Sequence, residues 1–157
     1  MSWRMVGLGI STAEMAAIAI SQKATVNKNI YLRATRAGVI QYNNPAWTSL
    51  VMRIYSDKSG SPGKLLFTSA TSHTKASLFT LDHGYKETYF EFNYAPLQKN
   101  TPYHFVLYAS GYIGDASAHL AWRQSYPDPI YRNGFTPEAA NGDNHPFDLM
   151  LLGTDVV

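Results

Sequence analysis

IYSDKSGSPGKLL, residues 54–66, contains G-S-P-G-K and so comes close to a phosphate-gripping loop. It is either a nucleotide site or a turn between two strands, and the choice decides the fold. A phosphate loop needs a glycine at 58, Ser or Thr at 65, and a helix afterwards. Lys58 and Leu65 stand at those positions, and LLFTSATS (65–72) is rich in β-formers. Asp57 can bond its own backbone, Pro62 fixes φ, and Gly60 and Gly63 permit positive φ. The stretch is strand, turn, strand.

The same two-residue period extends outward. In SLVMRIYSD (49–57), Leu50, Met52 and Ile54 share one face, with Arg53 and Tyr55 on the other. In YKETYFEFNY (85–94), Phe90 and Phe92 point one way and Glu87, Tyr89 and Glu91 the other. YHFVLYAS (103–110) groups Tyr103, Phe105 and Leu107, and FDLMLLG (147–153) groups Phe147, Leu149 and Leu151. Between these runs lie the turn clusters YNNPAW, SDKSGSPG, LDHGY, APLQKNTP, SGYIGD and NGDNHP. Short alternating strands with such punctuation predict an all-β chain, an antiparallel jelly-roll-like β-sandwich with an N-terminal extension.

At 157 residues the chain is most simply one domain. Residues 1–22 are expected to be an N-terminal arm or first strand, and 23–157 the sandwich. Ser11 and Glu14 make a capping box, so a short helix over about 12–20 competes with an extended arm. G-L-G at 7–9 lacks a third glycine and a preceding strand, so it is no dinucleotide fingerprint. Glu14 splits the apolar stretch, which argues against a secretion signal.

Composition narrows the function. Charged residues are only 15% and aromatics 13%, with eleven Tyr, which suits contact surfaces. Net charge is +2 without a Lys/Arg run, so nucleic acid is not an expected partner. No apolar run approaches the ~20 residues of a membrane span. The absence of Cys excludes disulfides and thiol chemistry.

Residues 54–66, written IYSD-x-SGSPG-x-LL, resemble the signature of a jelly-roll β-sandwich module found in phage virion proteins and bacterial surface proteins. YFEFNYAPLQKNTPYHFVLYASG (89–111) resembles that family's aromatic strand, corner and core strand. LAWRQSYPDPIYRNGF (120–135) resembles its Trp strand and Tyr-rich loop, and FDLMLLG its closing strand. The resemblance covers about 20–153. It implies the fold and a non-catalytic role, without choosing a ligand.

Catalytic and metal candidates are weak. Glu87 and Glu91 share a face but lie ~13 Å apart along a strand, beyond the separation glycoside hydrolysis uses. The five His residues form no H-x-H or H-E-x-x-H pattern, and no G-x-S-x-G elbow accompanies Ser117 and His119. NGDNHPFD (141–148) has oxygen ligands but not the EF-hand spacing for calcium. No metal or cofactor is expected. The contact candidates are Trp122, Arg123, Tyr126, Asp128, Tyr131, Arg132 and Asn133, which set flat rings beside planar hydrogen-bonding groups. Trp3, Met5, Val6, Leu8 and Ile10 form a candidate assembly arm.

The expectation is a structural virion protein of a phage, a capsid decoration or tail-associated component made in the host cytoplasm. Its partners would be other virion proteins and copies of itself, with a glycan as a further ligand. The alternative is a carbohydrate-binding or adhesion module.

Overall fold

The structure is a computed structural model that describes residues 3–5, 17–115, 117–123, 135–137 and 147–156; for 3–5, 17–20 and 135–137 only the backbone is described. In chain order the strands are β1 (Trp3–Met5), β2 (Ala17–Val26), β3 (Ile30–Tyr42), β4 (Ser49–Lys58), β5 (Ser61–Thr68) and β6 (His73–Thr74). A single helical turn, α1 (Lys75–Leu78), precedes β7 (Gly84–Leu97), β8 (Pro102–Ser110), β9 (His119–Arg123), β10 (Phe135–Pro137) and β11 (Leu149–Asp155). The predicted all-β antiparallel sandwich is what forms.

Strand β3 organises the first sheet. It pairs with β7 along one edge, and with β11 and then β9 along the other, with β1 beyond β9. The second sheet runs β10-β2-β8-β4, and both β5 and β6 pair with the far edge of β4. Only β4, β5 and β6 follow one another within one sheet; every other consecutive pair of strands lies in different sheets. One core therefore fills the space between the two sheets. Met52, Ile54 and Phe105 meet Leu32, Val39, Phe90, Trp122 and Leu151, all essentially fully buried. The inward phases expected for β4, β7 and β11 are correct, Phe92 included.

Two buried glutamines tie crossing segments into this core. Gln22 accepts the Phe147 backbone N–H at 2.8 Å, and Gln41 accepts the Trp47 indole N–H at 2.9 Å while donating to Leu81 O. Helix α1 has a Thr74–Ser77 capping box, and Leu78 and Phe79 beside it are buried, with Phe79 edge-on to Trp47. No sequence expectation covered this turn.

The opening stretch is a two-residue β-hairpin, with Lys58 opposite Ser61 and Asp57 opposite Pro62. Ser59 and Gly60 have φ of 52° and 88°, the left-handed pair that matches strand twist. Gly63 is needed for a different reason than expected. Its φ is not left-handed, but a Cβ there would meet Ser56 Oγ at 2.8 Å where the β4–β5 register shifts. Pro62 sits on edge strand β5, where no ladder bond is lost.

The structure decides between the alternatives for part of the N-terminal segment and adds to the reading of β8. Residues 17–20 take the strand alternative and not the helical one, because β2 finds a full antiparallel partner in β8. The 22/23 boundary falls inside β2, and Trp3–Met5 joins the first sheet opposite Arg123–Ala121, so described parts of the arm belong to the sandwich. Val6, Leu8 and Ile10 lie outside the described residues. In β8 both faces are buried, since His104 and Val106 are covered as well as Tyr103, Phe105 and Leu107.

His104 is buried because Asp57, in the hairpin, bonds its Nε2 at 2.7 Å. That hydrogen bond, with lesser help from the Gly60 N–H and Lys23, holds the Asp57 carboxyl below its ordinary value of 3.8. A carboxylate whose folded value is depressed stabilises the fold above the unfolded value and loses that contribution as pH falls through the folded value. Asp57→Asn should therefore lower Tm at pH 6, and the difference from the parent should shrink below pH 3.8. An equal Tm difference across that range would show that the carboxylate charge does not stabilise the hairpin.

Candidate functional site: the outer face of the first sheet

Because β3 and β7 alternate, their outward residues form rows across the first sheet. Tyr85 lies opposite Ile40, Glu87 opposite Gly38, Tyr89 opposite Arg36 and Glu91 opposite Ala34. Tyr85 and Tyr89 are 40% and 48% exposed, enough to touch a partner without unfolding. Arg123 donates to Tyr85 Oη at 2.7 Å, and Arg36 lies 3.6 Å from Glu87. Gly38 makes room for this arrangement, since a Cβ there would meet both the Arg123 side chain and the Tyr85 ring at 3.2 Å. The result is a rigid surface of rings, forked cations and carboxylates.

The predicted contact residues separate. Trp122 is fully buried, stacked on Phe147 with centroids 5.0 Å apart, and its indole N–H donates to Asp148 O at 2.8 Å. It is a core residue, not a contact residue, because its register opposite Val39 turns it inward. Arg123 faces outward beside Tyr85, yet its side chain is only 17% exposed, and it lies 3.7 Å from the buried Asp148 carboxylate. Tyr126, Asp128, Tyr131, Arg132 and Asn133 lie outside the described residues. Sequence reasoning missed Tyr85, Arg36 and Gly38; the alternating Tyr and Glu of β7 were the available signal.

Asp115 closes its own loop by accepting from the Ser117 N–H and hydroxyl and the Ala118 N–H, which holds its carboxyl below the ordinary range. Among the described residues no three of His, Asp and Glu gather as metal ligands.

At the other end of the face all three strands change register together. Leu32 pairs with Ala95 but Ala34 with Glu91, and β11 shifts between Leu152 and Gly153. In β7 the inward phase passes from Phe90 and Phe92 to Ala95 and Leu97, through Tyr94 at a φ of 51°. Such bulges reverse which side chains face the core. Here they leave an open hollow of about 490 Å³. Compared with known proteins, the chain matches no family model, no curated protein and no solved structure.

Proposed function

We propose that this chain is a non-catalytic structural protein of a phage virion, a capsid decoration or tail-associated component that displays the sandwich. It attaches through the Tyr85–Tyr89 half of the outer β3-sheet face. The observation that carries this proposal is the composition of that face. Tyr and Arg are the residues enriched in protein interfaces, and here they are held on strands, so little side-chain freedom is lost on contact. The resemblance of residues 54–66 and 89–111 to the virion module supports the same class, and those residues form the β4–β5 hairpin and strands β7–β8.

Particles of the encoding phage, banded on a density gradient, should contain the chain. The double variant Tyr85→Ala/Tyr89→Ala should be depleted from them about tenfold or more, with Tm within a few degrees of the parent. Absence of the parent chain from banded particles overturns the virion role. Undiminished incorporation of the variant overturns the attachment face.

A further inference from the structure

We propose that the hollow at the triple register change binds a neutral saccharide. Its floor is apolar and built from backbone approach, since Phe92 is buried and Ala34 and Leu152 are half-buried. Gly153 allows β11 to come this close, because a Cβ there would meet Tyr31 O at 2.8 Å. Four exposed side chains stand at the rim: Arg33, Glu91, Tyr94 and Thr154.

Tyr94 is the residue that calls for a reason. A left-handed φ on a bulky aromatic costs on the order of 1–3 kcal/mol, and such strain persists where the surroundings require one side-chain direction. What it yields is a phenol ring 54% exposed at the edge of the hollow, with the Arg33 guanidinium 5.6 Å from its centre. Among the described residues Arg33 has no carboxylate partner, and the Glu91 carboxylate has no cation or hydrogen-bond donor. A guanidinium and a carboxylate with no oppositely charged partner among the described residues thus flank one flat apolar face.

That donor set selects a ligand class. An anion would be repelled by Glu91 and a cation by Arg33, while a wholly apolar molecule would strip water from both charges uncompensated. A sugar ring presents an apolar C–H face to Tyr94. Its hydroxyls donate to Glu91 and accept from the fork of Arg33. The volume exceeds that of a single small metabolite and the hollow is open, which fits a few units of a longer chain. Tyr94 lies five residues along β7 from Tyr89, roughly 16 Å at ~3.3 Å per residue and past the register shift, so substituting it leaves the Tyr85–Tyr89 half of the face in place.

Saturation-transfer NMR and calorimetry on the full chain would use cellotriose, maltotriose, xylotriose and chitotriose as neutral probes, trigalacturonate as an anion and leucine as a zwitterion. At least one neutral trisaccharide should bind. Tyr94→Asn, which keeps a residue tolerant of positive φ but removes the ring, should weaken it about tenfold with an unchanged fold by circular dichroism. Arg33→Lys should weaken it as well, because the point charge cannot fork. Particle incorporation should be unaffected by either variant, which separates this outcome from failure of the virion role. No binding by any neutral probe, tighter binding of leucine or trigalacturonate, or undiminished binding by Tyr94→Asn would each overturn the assignment.

Discussion

Trp122→Ala should destabilise the chain by about 3–5 kcal/mol, the range for truncating a large core aromatic. Three losses coincide at this position. The indole is fully buried between the sheets, so its removal leaves a cavity rather than a gap that water fills. The near-parallel stack on Phe147, with 9° between ring planes, disappears, and such pairs contribute about 0.5–1.5 kcal/mol beyond burial. The Asp148 carbonyl also loses its indole donor. Trp122→Phe should recover part of the loss, since it keeps a stacking ring but not the N–H. Urea denaturation measures both. A cost below about 1 kcal/mol for Trp122→Ala would place the ring outside the core and restore it as a contact candidate.

Arg123→Ala should cost about 1–3 kcal/mol, although arginines at a sheet surface usually contribute little. The difference lies in its neighbour. Asp148 is 1% exposed, and with the guanidinium gone it loses the cation 3.7 Å away while keeping its other contact. The Tyr85 hydroxyl loses its donor at the same time. The double variant Arg123→Ala/Asp148→Asn should recover more than half of the stability, because an amide carries no charge that needs compensation. If the double variant is less stable than Arg123→Ala by the full cost of a second independent mutation, the two side chains are not coupled.

The fold was legible where period and chemistry agreed. Leu50, Met52 and Ile54 alternate without interruption, and the Ser59–Gly60 turn closes them onto β5 as the letters predict. Residues 17–20 were harder, because Ala and Ile suit both helix and strand, and only pairing with β8, far along the chain, decides between them. In β8 the period-two pattern identified a strand but not its burial on both faces, which follows from its place between β2 and β4. The candidate face was half visible, as Glu87, Tyr89 and Glu91 on one side of β7. The hollow was not visible, because a bulge is set by the register of three strands at once and Tyr94 looks like any other strand tyrosine.

The pairing of β2 with β8 also sets a timetable. Partners along this ladder are 77 to 93 residues apart, from Thr25↔Pro102 to Ala17↔Ser110. At a synthesis rate of about 5–20 residues per second, β2 leaves the ribosome roughly 4–19 seconds before β8. During that interval β2 lacks its β8 neighbour, and unpaired strand edges are where chains associate wrongly. The second sheet cannot nucleate from the N-terminal end; it must wait for β8 to insert between β2 and β4. Yield in a heterologous host should therefore depend more on translation speed and temperature than on the stability of the finished sandwich.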